Sequence, residues 1–146
     1  MKIIIQSVSS ASVEIDNKVY SKINKGILVY LAMSKNDSKK HIDWVCKKIL
    51  TTRIFPDSNK GFQNNIEDIQ GEILLIPQFT LYGDLSQSTK PNFKESMSFL
   101  DAKTFFEKII DNLNKNTKCN VSYGKFGADM IINSSNIGPK TLILEK

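Results

Sequence analysis

One histidine (His41), one arginine (Arg53) and two cysteines (Cys46, Cys119) stand among 146 residues. The side chains that most often move protons, clamp phosphates or act as thiolates are therefore scarce. A lone histidine excludes an H-E-x-x-H metal site and argues against a Ser-His-Asp triad. His41 sits in a Lys-rich stretch at the start of a helical pattern, where a merely solvated side chain is the simplest expectation. The cysteines show no C-x-x-C spacing and have no histidines around them, which argues against zinc and for two isolated, buried thiols in a reducing compartment. The seven glycines are scattered, so no glycine-rich phosphate loop is present. No segment approaches the ~20 apolar residues of a membrane span. Ile3-Ile4-Ile5 is too short an apolar run for a signal peptide. The expectation is a cytoplasmic, soluble protein with no membrane, metal or cofactor. If it is an enzyme, it lacks an ordinary base and an activated nucleophile. Its substrate must then be intrinsically reactive, and its rate must come from positioning and backbone dipoles.

What is present is an ordinary globular composition. Hydrophobic residues make up 40% and charged residues 24%, which excludes an extended disordered chain. The length favours one domain over residues 1–146, large enough to bury roughly two-thirds of its unfolded surface. The net charge of +5 is carried almost entirely by lysine, a point charge that seldom acts as a bidentate fork. That balance permits contact with a polyanion without requiring it.

Hydrophobic periodicity outlines the elements. Residues 2 to 8 begin a strand, and Ala11 to Ile15 alternates. Asp16-Asn17-Lys18 has turn chemistry and Val19 to Ile23 returns, which reads as a hairpin. Ile27 to Met33 is a continuous apolar run, as in a strand covered on both faces. A helix follows, with Ile42, Val45, Cys46, Ile49 and Leu50 at helical spacing. Phe55 to Gly61 is a turn-rich connection, Glu72 to Ile76 a second apolar strand, and residues 83 to 96 a polar loop. Ser98-Phe99-Leu100-Asp101 resembles a capping box, and the helix behind it carries Ala102, Phe105, Phe106, Ile109, Ile110 and Leu113. Strands are expected at 119 to 123, 128 to 133 and 141 to 144, with a turn at Ser134 to Pro139. The sum is about seven strands and two helices, an α/β domain of three layers with helices packed on two sheets.

Two places invite chemistry. Pro77 follows a strongly apolar strand and cannot donate to a ladder, so it marks a strand end, an edge or a bulge. If the strand ends there, the N–H groups of Gln78, Phe79 and Thr80 are free to point into a cleft. By spacing alone the simpler reading is a strand that kinks and continues. The other place is Asn136-Ile137-Gly138-Pro139, which by default is a trans turn between strands.

Together these features resemble the D-aminoacyl-tRNA deacylase family. The likeness runs nearly end to end, through Ala11-Ser12-Val13, Lys48-Ile49-Leu50, Arg53-Ile54-Phe55, Gly71-Glu72-Ile73-Leu74, Gln78-Phe79-Thr80-Leu81-Tyr82, Phe126-Gly127-Ala128-Asp129-Met130, and Asn136 to Pro139 with Thr141. It implies a single barrel-like α/β domain with mainly antiparallel or mixed sheets, acting as a homodimer on the tRNA acceptor end. Members hydrolyse the ester joining a D-amino acid, or glycine mischarged on tRNA-Ala, to the terminal ribose. That ester is activated, which fits the missing acid–base machinery, and the ribose 2′-OH is held to assist.

The resemblance assigns Gln78, Phe79 and Thr80 to catalysis, with backbone N–H groups at Phe79 and Thr80 holding the oxyanion. One such donor is worth about 2.7–4 kcal/mol in characterised enzymes. The Thr80 hydroxyl is read as positioning, since no base is there to activate it. It also implies that Gly138 and Pro139 form a Gly-cis-Pro element whose carbonyls, supplied by the partner subunit, engage the substrate ammonium. An L side chain would be driven into that wall, whereas D-amino acids and glycine fit. Phe126 matches an aromatic near the terminal adenine, Ala102 a small residue beside the pocket, and Met130 completes the expected substrate-binding set. The chain has Pro77, Ser7 and Lys140 where the family usually has Ser, Arg and Val. A related deacylase of relaxed chirality with a trans Gly-Pro bond is the nearest alternative. A non-catalytic RNA-binding protein is another, disfavoured because the lysines are spread and Phe79, Tyr82 and Phe126 sit in apolar, strand-like stretches.

Overall fold

Asp16 and Asn17 both take left-handed backbone angles (φ 51° and 59°), the geometry of a two-residue hairpin turn that short polar side chains tolerate. They join β1 (Lys2–Ile15) to β2 (Lys18–Ile23), and β3 (Gly26–Ala32) follows. The computed structural model describes residues 1–58 and 61–146. Of the connection expected at Phe55 to Gly61, Asn59 and Lys60 lie outside the described residues. The order continues with α1 (Lys39–Thr51), β4 (Glu72–Pro77), a 3-10 turn (Phe79–Tyr82), α2 (Phe99–Asn116), β5 (Val121–Tyr123) and β6 (Ile131–Glu145).

Antiparallel β1 carries β3 along its first half and β2 along its second, with β6 on its other edge. The parallel trio β3-β4-β5 extends the sheet, with the helical segments as crossovers. The two sheets expected from sequence are thus continuous through β1. The sheet curls until the Ser21 hydroxyl of β2 donates to the Tyr123 carbonyl of β5 at 3.1 Å, which gives the barrel-like form. Both faces of β3 are covered. Ile27, Val29 and Leu31 pack with the helices, while Leu28 points into the curl against Val8, Val13, Leu74 and Ile76. The predicted stripes of α1 and α2 are the buried ones, apart from Phe105, which is half-buried. No helix among the described residues is long and apolar enough to cross a membrane.

Gly26 is required by close approach. A Cβ there would lie 1.9 Å from the Glu72 carbonyl oxygen, because the first rungs of β3 and β4 are flush.

Three expectations change. Residues 2 to 8 and 11 to 15 are one strand of 14 residues. The expected turn at Ser134 to Pro139 lies inside one strand, β6, of 15 residues, so the described residues hold six strands. A pattern reading breaks strands at Gly-Pro, but here the antiparallel register resumes on both sides of an irregular stretch. His41 is not simply solvated. Its Nδ1 accepts from the Ser38 backbone N–H at 3.0 Å, its Nε2 lies 3.8 Å from Asp37, and its side chain is 11% exposed, so it serves the α1 N-terminus.

Candidate active site

In parallel α/β sheets, ligands collect beyond the carboxyl ends of the strands. Here β3, β4 and β5 all point to one end, and β4 stops there at Pro77. Pro77 pairs with Leu31 in the last rung, and the Gln78 N–H closes the ladder onto the Leu31 carbonyl at 2.7 Å. The chain then tightens into the 3-10 turn, with Leu81 N–H bonded to Gln78 O at 3.2 Å and Gly83 N–H to Thr80 O at 2.9 Å. Ser96 Oγ donates to Phe79 O at 3.3 Å. The N–H groups of Phe79 and Thr80 pair with no backbone acceptor among the described residues. They are orphan donors of a helix start. Gln78, expected as a third free donor, is spent on the ladder.

Beside this turn lies a cavity of about 650 Å³. It brings together Gln78, Phe79, Ala102, Phe126 and Met130 from three separate segments. Phe79 and Phe126 are not strand residues. Phe79 opens the 3-10 turn and is 57% exposed, and Phe126 sits in the segment after β5. Phe126 meets Phe99 edge-on at 5.2 Å and Phe106 at 5.9 Å, so its ring is held from two sides. Gly127 has φ +76°, and a Cβ on it would lie 2.8 Å from the Phe99 ring. Phe79 is braced by Phe93 at 5.0 Å.

The Thr80 side chain lies outside the cavity lining and accepts a hydrogen bond from Gln78 Nε2. No carboxylate or histidine pairs with its hydroxyl among the described residues. Gly138 and Pro139 are also outside the lining, exposed on β6 and joined by a cis peptide bond. The default trans turn is thereby corrected: the Gly138–Pro139 bond is cis.

Tyr82 ends the 3-10 turn, and Lys2 Nζ lies 4.8 Å from its ring centre. Burial first, then the charges of Asp37 and Glu145, push its phenol up to about 12, against a hydrogen bond from Ser34. Nearby, Asp37 accepts from the Met1 ammonium at 2.9 Å. An unfolded phenol ionises near 10.0, so above that pH the unfolded state has lost a proton that the folded state keeps. The contribution is therefore present below about pH 10 and lost as pH rises towards about 12. Buried Cys46, pushed from 9.0 to about 12, acts in the same sense. Thermal melts stepped through this alkaline window are expected to show falling stability, and Tyr82→Phe is expected to flatten part of the fall. An unchanged slope would place Tyr82 outside this linkage.

The chain matches the family described as D-Tyr-tRNA(Tyr) deacylase over residues 4–145. It belongs to that family. It is 41% identical over 146 residues to a D-aminoacyl-tRNA deacylase of Thermosipho melanesiensis, covering 99% of this chain and 97% of the relative. It is 38% identical over 145 residues to a protein of the same name from Clostridium botulinum (strain 657 / Type Ba4), with the same coverage. A solved structure described as c-Myc DNA Unwinding Element Binding Protein superposes with a TM-score of 0.95 at 35% identity, over 100% of this chain and 99% of that one. A probable eukaryotic D-amino acid tRNA deacylase superposes at 0.84 with 16% identity, over 98% and 97%, and shares the fold.

Within this deacylase-family cavity, sequence reasoning missed Phe93, Phe99, Met33 and Met97. Phe93 lies in a stretch read as a polar loop. Phe99 is 61% exposed in the first turn of α2. An unpaired aromatic inside a capping motif was the available signal.

Proposed function

We propose that this protein hydrolyses the ester of D-aminoacyl-tRNA, releasing the D-amino acid and tRNA. One observation carries the reading: the unpaired Phe79 and Thr80 N–H groups lie at the end of a parallel strand, beside an apolar cavity. Water adds to the ester carbonyl carbon, and the carbonyl oxygen becomes an oxyanion held by those donors. The bond from carbon to the ribose 3′ oxygen then breaks, and the proton of the attacking water is carried to the leaving oxygen with help from the adjacent 2′-OH. No side-chain base is needed because the ester is activated.

In this reading Phe126 stacks on the terminal adenine, and Ala102 and Met130 bound the pocket. The protein works as a homodimer, with Gly138 and Pro139 of a second copy reaching the cavity. Their carbonyls receive the substrate ammonium and leave no room for an L side chain. Glycine has none, so glycyl-tRNA mischarged on tRNA-Ala is also a substrate. The exposure of Gly138 and Pro139 in one copy supports an arrangement in which another copy uses them.

The test is release of amino acid from D-tyrosyl-, L-tyrosyl- and glycyl-tRNA by the purified protein. Turnover of the D and glycyl esters with the L ester spared is expected. Equal turnover of D and L would support a relaxed-chirality deacylase, and tRNA binding without release a non-catalytic protein. Lysine contacts to phosphate make binding fall steeply with salt. Thr80→Ala is expected to keep kcat within about tenfold of wild type, well short of the loss when an oxyanion donor is removed. Complete loss in a folded variant would make the hydroxyl the nucleophile.

A further inference from the structure

We infer that Asp129 is a substrate-binding residue whose carboxylate meets the α-ammonium of the substrate, so that the site selects amino esters over neutral esters of the same shape. The inference rests on the deacylase reading above and adds a charged partner to the carbonyls named there.

Asp129 lines the cavity beside the 3-10 turn, and every other residue of that lining is uncharged. It is exposed, so it stands at the mouth of the cavity. Among the described residues its carboxylate has no hydrogen-bond or ion-pair partner. Lys125, exposed and four positions earlier in the same segment, forms no ion pair with it.

The segment is tied at both ends. The Gly124 N–H bonds to the Leu75 carbonyl at 2.9 Å, and the Ala128 N–H to Lys125 O at 3.2 Å. A Cβ on Gly124 would lie 2.7 Å from Met130 Sδ, so the two ends close on each other. Phe126 packs with the helix-side core and Met130 with the core inside the curl. Asp129 is thus carried between anchored residues.

The electrostatics single this carboxylate out. The net charge of +5 favours the approach of an RNA end, and Asp129 opposes it at the mouth. That local cost is offset once the carboxylate meets a cation on the seated substrate. The aminoacyl end carries one, the α-ammonium beside the ester, and the lining offers it no other anion. An ammonium–carboxylate hydrogen bond is charge-assisted, and an apolar lining screens it less than bulk water does. A neutral hydroxyl in the same place gains far less.

The test compares two esters of one tRNA in wild type, Asp129→Asn and Asp129→Ala, with a thermal melt of each protein. One ester is D-tyrosyl-tRNA. The other carries the 2-hydroxy acid of the same configuration, with a hydroxyl in place of the ammonium. The readout is kcat/KM of variant over wild type on each ester, so that the different reactivities of the two esters cancel. Asp129→Asn is expected to lower the value about tenfold on the D-tyrosyl ester and less than twofold on the hydroxy ester. Tenfold is the lower end for a hydrogen bond to a charged group, in keeping with an exposed residue. If wild type leaves the hydroxy ester uncleaved, its inhibition constant against D-tyrosyl-tRNA takes the place of kcat/KM. If Asp129→Asn does not fold, the alanine variant decides. A loss at least threefold greater on the amino ester supports the inference. A smaller difference overturns it and leaves the deacylase reading intact, whether both esters lose equally, as for a general base or a structural role, or neither loses. A wild type that releases no D-tyrosine removes that reading, and this inference with it.

Discussion

Phe79→Pro is expected to lower kcat for D-aminoacyl-tRNA by about 10²–10³-fold relative to Phe79→Ala, the loss seen when one oxyanion donor is removed. Both variants lack the ring, so the comparison isolates the backbone N–H. The site tolerates proline on physical grounds. Phe79 is the first residue of the 3-10 turn, and its N–H has no backbone partner to lose. Proline is favoured at such a first position, where its fixed φ is already suitable. The residue before a proline must avoid the helical region, and Gln78 does so with φ −142° and ψ 74°. The contact of Ser96 with the Phe79 carbonyl does not depend on the side chain. Matched melting temperatures would show that the turn survives. Equal kcat in the two variants would mean that the Phe79 N–H takes no part in the reaction.

Phe106→Ala is expected to cost about 3–5 kcal/mol of stability, the range for deleting a buried aromatic side chain. Phe106 is 2% exposed on the α2 core stripe, with its ring 5.9 Å from that of Phe126, which lines the cavity. The loss is large against the ~5–15 kcal/mol that keeps a domain folded. Denaturant melts at one fixed protein concentration would measure it, because any association of copies adds to apparent stability. The variant should also raise KM, since Phe126 loses one of its two supports. Phe106→Leu keeps more volume and should cost less on both counts. A change below about 1 kcal/mol would mean that the helix–sheet interface collapses into the vacancy, at odds with the partial relaxation usual in packed cores.

Much of the helix–sheet arrangement was legible because periodicity is a direct consequence of burial. Ile42 to Leu50 and Ala102 to Leu113 face the sheet as their spacing requires. The Ile27–Met33 run was readable as a strand buried on both faces for the same reason. The sequence misled where local chemistry and long-range pairing disagree. Asn136 to Pro139 has every mark of a turn, yet β1 is long enough to hold β6 on both sides of it. Only a partner strand reveals that, and no local pattern encodes one. The candidate site was half legible. Pro77 advertised the end of a ladder, but which N–H groups stayed unpaired depended on Leu31, nearly fifty positions away. Phe93 and Phe99 escaped because a polar loop and a helix start hide aromatics from any periodic search. The identity of the cluster came from the family likeness, while its geometry came from the fold.

The missing side chain at Gly26 acts at a distance. Six consecutive rungs tie Gly26–Leu31 to Glu72–Pro77, starting where the two backbones nearly touch. Each rung advances about 3.3 Å, so the far end of this pair lies roughly 17 Å from its origin. That first contact works as a datum, like the stop on a machinist's gauge. It dictates how far along its neighbour the fourth strand has travelled when its proline arrives, and so where the 3-10 turn begins.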